Sequence, residues 1–124
     1  MRSFKIYSLI VLILLITSGC NAPLPHLEEV DLKQWNADKR GCSRMRTPMI
    51  GAMDRQKGKL KSLTENQIIK LLGMPDETQL EDRNQKFYYY YMEPAPFCEK
   101  STSRPKKLIL RFNAMNLVYE VYVR

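Results

Sequence analysis

Histidine, the side chain most used in general acid–base and metal chemistry, occurs once in these 124 residues, as His26. No C-x-x-C or H-E-x-x-H spacing is present, so the usual ligand sets of dithiol redox and zinc sites are missing too. The paired acids Asp76 and Glu77, and Glu81 and Asp82, fall at a helix end and in loop-like sequence, where solvation is their ordinary role. A cluster of His26, Cys42, Cys98 and a carboxylate is the one catalytic constellation left. The expectation is therefore a protein that is not an enzyme and needs no metal or cofactor.

Internal repeats and long low-complexity tracts are also absent, which leaves one modest domain. No apolar run reaches the ~20 residues that a spanning helix needs. The apolar run from Ile6 to Ile16 is preceded by Arg2 and Lys5 and followed by Thr17, Ser18 and Gly19, which reads as a secretory signal peptide over 1–19. Acidic residues are the scarcer charge, 13 against 20 Lys and Arg, and setting the signal aside leaves 18 basic residues against the same 13. That excess favours anionic partners, and an ordinary solvated surface has the same composition.

Cysteines number three, an odd count. Export implies an oxidising compartment, where an available pair usually becomes a bridge. With Cys20 otherwise occupied, Cys42 and Cys98 have one possible pairing, and two free buried thiols are the alternative. A bridge between them would tie the helical region to a loop between strands.

Residues 20–30, with Pro23 and Pro25 and no helical or strand period, read as a tether, and 31–124 as the domain. Asp31 and Gln34 have capping-box spacing, and a short helix from 32 to about 39 would place Leu32 and Trp35 on one face. Thr47 and Pro48 are the expected N-cap and first residue of a second helix, carrying Met49, Ile50 and Met53 and ending at Gly58. In "SLTENQIIKLLGMPD" the signals agree most fully. Thr64 and Gln67 form a capping box, Leu63 can pack on Ile68, and Gly73 and Pro75 stop the helix after 72.

Beyond that helix the apolar period falls from 3.6 toward 2. "ETQLED" is a weak strand signal and "QKFYYYYME" a strong one, with Phe87, Tyr89 and Tyr91 on one side and Tyr88 and Tyr90 on the other. Periodicity leaves open which set faces inward. "KLILRFN" and "LVYEVYVR" make a final hairpin, with Leu108, Leu110 and Phe112 inward, and Leu117, Tyr119, Val121 and Val123 inward if no bulge intervenes. Helices first and strands second argue an α+β fold of two layers, two to three N-terminal helices on a three-stranded antiparallel sheet. Tyr88 and Tyr90 are the candidate binding residues, as rings on a face that helices leave uncovered. Beside Lys106, Lys107 and Arg111 they could also stack on bases, but export argues against a nucleic-acid partner.

Two resemblances follow from quoted residues. "SGCN" resembles the lipobox of bacterial lipoproteins, whose cysteine is acylated, with Thr17 where an aliphatic residue is usual. It implies lipidation at Cys20, and Asn21 implies sorting to the periplasmic face of the outer membrane. "LTENQIIKLLGMPDE", the tyrosine strand and "LILRFNAMNLVYEVYV" together resemble the SmpA/OmlA (BamE-like) lipoprotein domain. That likeness implies helices on a three-stranded antiparallel sheet and a binding or scaffolding module in the envelope, with an envelope protein partner in outer-membrane protein assembly or envelope integrity. The same architecture occurs in secreted inhibitors, so a released inhibitor-like or ligand-binding protein is the alternative. The "WNADKRGC" segment, the Cys42 and Cys98 pair and the proline loop at 94–96 depart from the family's assembly subunit, and no partner-binding residue is carried over.

Overall fold

The computed structural model describes residues 23–124 together with Ser3 and Tyr7; Cys20 and the rest of the expected signal segment lie outside the described residues. From residue 23 onward three α-helices precede four strands, so the α+β expectation holds with one strand more than foreseen. Helix α1 (Leu32–Ala37) begins at Asp31, whose carboxylate accepts from the Lys33 and Gln34 backbone N–H groups at 3.0 and 3.1 Å. It stops earlier than expected and gives way to a 3-10 turn, Lys39–Gly41. Gly41 has φ +66°, and a Cβ there would lie 2.7 Å from the Glu93 carbonyl oxygen, so only glycine fits this close approach of two chain segments.

Helix α2 (Ile50–Gln56) departs from expectation at both ends. Thr47 does not cap it: residues Thr47–Met49 form a 3-10 turn, and the Thr47 hydroxyl donates instead to the Met92 carbonyl at 2.8 Å. Past Gln56 the chain tightens into a further 3-10 turn, Lys57–Leu60, running through Gly58 rather than stopping there. Helix α3 (Glu65–Leu72) matches the reading at every position. Thr64 and Gln67 exchange the two capping-box bonds at 2.9 and 3.2 Å, and Gly73 ends the helix at φ +78°.

The sheet is antiparallel throughout, in the order β1 (Glu77–Glu81), β2 (Gln85–Tyr91), β3 (Lys107–Phe112), β4 (Val118–Val123). "ETQLE" is the strand missing from a three-stranded expectation. It is nearly all exposed, so its stability comes from pairing with β2 in the register Glu77 to Tyr89 and Glu81 to Gln85, and only weakly from its own apolar pattern. A bulge opposite Arg111 and Phe112 shifts β4, so that Val118 pairs with Phe112 and Glu120 with Arg111. Val118 and Val121 therefore face the core and Tyr119, between them, is exposed, which corrects the unbulged alternation through Leu117 and Tyr119. The first residues of β4 are covered by the chain entering α3, where Ser62 donates to Val118 O and Val118 to Leu63 O.

All three helices lie on one face of the sheet. Trp35, Met53, Ile68 and Leu72 pack on Tyr90, Leu108, Leu110 and Phe112, every one of them fully buried. Each such side chain contributes about 1.5–3 kcal/mol relative to exposure. The Trp35 indole also donates to the Leu72 carbonyl at 3.2 Å, joining α1 to the end of α3.

The stretch expected as a free tether is docked from Leu27 onward. Leu27 and Val30 are part of the core, and the Gln56 side chain brackets the Glu28 backbone, accepting from its N–H at 2.7 Å and donating to its carbonyl at 2.6 Å. Proline-broken sequence has no internal period to show this. The order is imposed from outside, by the helix it lies against.

Candidate binding face

Alternation along β2 divides its rings between two environments. Tyr88 and Tyr90, the candidates from the sequence, face the helices: Tyr88 meets Phe112 edge-on at 4.7 Å, and the Tyr90 hydroxyl donates to Gly73 O at 2.8 Å. Burial pushes both phenols up, Tyr90 far more strongly. As core residues they are out of reach of a partner, and the candidate surface passes to the opposite side of the strand.

On that outer face the register places Phe87, Tyr89 and Tyr91 beside Arg111, Ile109 and Lys107 of β3, with Tyr122 and Arg124 following on β4. Among the described residues no helix covers this side. The long β2–β3 connection folds over one end of it and walls a groove of about 580 Å³ with Pro96, Ser103, Arg104 and Pro105. Among the eleven lining residues are four aromatic rings, three cations and no carboxylate. Volume and lining both fall within the range of binding sites.

The cations are held by the rings. Lys107 Nζ sits 5.2 and 5.4 Å from the ring centres of Tyr89 and Tyr91, and the Arg124 guanidinium 4.5 Å from that of Tyr122. None of Arg104, Lys107 and Arg124 forms an ion pair among the described residues. Tyrosine hydroxyls meanwhile are committed sideways, Tyr89 to Gln79 at 3.0 Å and Tyr91 to Glu77 at 2.8 Å. Burial first, and then the bond to Glu77, pushes the Tyr91 phenol up to about 12. Arg111 at the far end is different in kind. It pairs with Glu120 at 3.0 Å and bonds Gln85 at 2.7 Å, and the Glu120 carboxyl lies below its usual range because the Tyr122 hydroxyl and then Arg111 bond to it.

Beneath the wall lies the most heavily bonded part of the molecule. Cys42 and Cys98 form a disulfide with their Cα atoms 5.4 Å apart, joining the turn after α1 to the β2–β3 connection. Beside it the Arg46 side chain is fully buried, stacked 4.6 Å over Trp35 and bonded to Asp76 at 2.7 Å and Tyr91 O at 3.0 Å. Asp76 also accepts from the backbone N–H groups of Arg40 and Tyr91. Asp38, likewise buried, accepts from the N–H groups of Ser43, Met45 and Arg46. These carboxylates are fully employed in holding backbone, which is a structural use.

Among the described residues no group of three or more His, Cys, Asp or Glu side chains is placed to hold a metal ion. No helix among them is long and apolar enough to cross a membrane. Comparison with known proteins finds no family model, curated protein or solved structure that matches this chain.

Lys107 and Arg111 were visible in the sequence as cations near tyrosines, but set against the wrong pair of rings. The outward side of β2 could have been found from β3, whose Leu108, Leu110 and Phe112 read unambiguously inward. Their antiparallel partners Tyr90, Tyr88 and Lys86 then share that side, and Phe87, Tyr89 and Tyr91 face out.

Proposed function

We propose that this is a lipid-anchored protein of the cell envelope, acylated at Cys20 and held at the periplasmic face of the outer membrane. Its α+β domain acts there as a non-catalytic binding or scaffolding module for an envelope protein. One observation carries the binding role: among the described residues the helices cover only one face of the sheet, and the other presents an aromatic groove lined by three cations that form no ion pair there. Anchoring rests on "SGCN" after a short apolar segment, and a stable anchor needs the several acyl chains that lipoprotein processing supplies. The likeness to SmpA/OmlA (BamE-like) lipoproteins supports a place in outer-membrane protein assembly or envelope integrity.

Two measurements test the reading. Fatty-acid labelling should mark the wild-type protein and not Cys20→Ala, which should leave the membrane fraction; equal labelling of both would sink the anchor. A photo-crosslinking residue at Tyr122 should capture a protein in intact cells where one at exposed Arg83 does not. The finite, walled groove also suits the second reading, a protein released after cleavage that binds a ligand or inhibits another protein. Wild-type chain that carries no acyl label and is recovered outside the membrane would favour it.

A further inference from the structure

From the charge and shape of the groove we infer the chemistry of its occupant: an acidic segment of a partner protein, with carboxylates alternating with aromatic or aliphatic side chains. The inference rests on the reading of the outer sheet face as the contact surface, and it names what that surface selects.

Charge comes first. Arg104, Lys107 and Arg124 line the groove from the loop, β3 and the residue after β4, and none of its lining side chains is acidic. Lys107 and Arg124 are steadied by tyrosine rings instead of by carboxylates. Such a cation is positioned and still carries its full charge, so an incoming carboxylate replaces water without first displacing an internal partner. Of the acids elsewhere on this face, Glu120 pairs with Arg111 and Glu77 accepts from the Tyr91 hydroxyl, while Glu81 on the edge strand lies outside the groove lining. A basic or neutral segment would leave the three cations unpaired under its own cover, which costs affinity and sets specificity.

Shape decides between a protein segment and a lipid surface. The cations line a groove that the 96–105 loop walls, a concave shape that suits a protruding chain better than a planar bilayer, although Arg104 and Arg124 are themselves exposed. The chain also enters the domain on the helical side, through Leu27. From an anchor at Cys20 to that point runs at most about 25 Å of extended backbone. The groove opens on the face of the sheet opposite that entry. Recognition there must run through side chains, because the main-chain groups of β2 and β3 are already spent on their neighbours. Rings of Phe87 and Tyr89 beside Ile109 supply the apolar floor for the residues between the carboxylates.

The experiment is selection from a random peptide library displayed on phage. The bait is the exported mature chain carrying Cys20→Ser, purified without detergent, with its disulfide confirmed by mass. Enriched sequences should place Asp or Glu next to aromatic or aliphatic residues. The blocked consensus peptide should bind with an affinity that falls about tenfold for each of Lys107→Gln and Arg124→Gln, and stays unchanged in Arg83→Gln. Enrichment of neutral or basic sequences, no enrichment at all, or equal binding by the Gln variants would overturn the inference. So would vesicles containing anionic phospholipid that bind the same protein through Lys107 and Arg124 and displace the peptide, since the site would then be a lipid site. Crosslinking from Tyr122 in cells separates the two levels. A crosslinked protein partner alongside failed acidic selection keeps the contact surface and discards its acidic specificity, whereas loss of both discards the surface.

Discussion

Asp76 holds three chain segments at once, accepting from the Arg40 and Tyr91 backbone N–H groups and from the Arg46 guanidinium. Both members of the ion pair are buried, with side chains 0 and 1% exposed, so removing one strands the other in a dry interior. Asp76→Ala should cost about 3–5 kcal/mol in chemical denaturation, while Asp76→Asn, which keeps an acceptor, should cost less. Tyr91 tests the same region by pH. Its phenol is pushed up to about 12, whereas in the unfolded chain it ionises near 10. The neutral hydroxyl is thus favoured by folding: its contribution is complete below about pH 10 and is lost as pH rises toward 12. Tyr91→Phe should flatten the fall in stability across that window, measured by denaturant midpoints at each pH. An undiminished slope would show that Tyr91 titrates as it does in the unfolded chain.

Elements whose signals are local were legible, and those settled by distant contacts were not. Helix α3 carries its cap, staple and stop within the residues 63–75, and it forms as read. Thr47 has similar local credentials, but its hydroxyl is tied to Met92 O, 45 residues away, and Thr47–Met49 winds as a 3-10 turn, so the α-helix starts later. Strand β1 has almost no apolar pattern and exists because β2 pairs with it; the bulge in β4 is likewise invisible to alternation. The groove was half legible for the same reason. Its cations and rings are plain in the sequence, but a strand with rings on both sides conceals which of them face out. The disulfide links two elements at a sequence separation of 56, and on the chain-entropy model contributes about 4 kcal/mol, with real values often lower. Reduction should therefore lower stability by about 2–4 kcal/mol. It should also free the 96–105 wall first, so that trypsin cuts after Lys100 sooner than in the oxidised protein. Equal cleavage times would show that the loop's other bonds, such as Ala95 N to Arg40 O, suffice to hold it.

For the whole molecule, docking of residues 27–30 makes the entry to the domain part of its core. Leu27 is 3% exposed, so Leu27→Ala should cost about 2–5 kcal/mol by thermal or chemical unfolding. A free tether would tolerate the change. The remaining consequence belongs to β1, one of the two edge strands of the sheet. An open edge invites a second copy to continue the sheet. Two copies meeting antiparallel about Gln79 would set Glu77 of each opposite Glu81 of the other, and like charges directly opposed destabilise such a pairing. The carboxylates that make this strand look so unlike one are therefore what keep its open edge from zipping to that of a second copy.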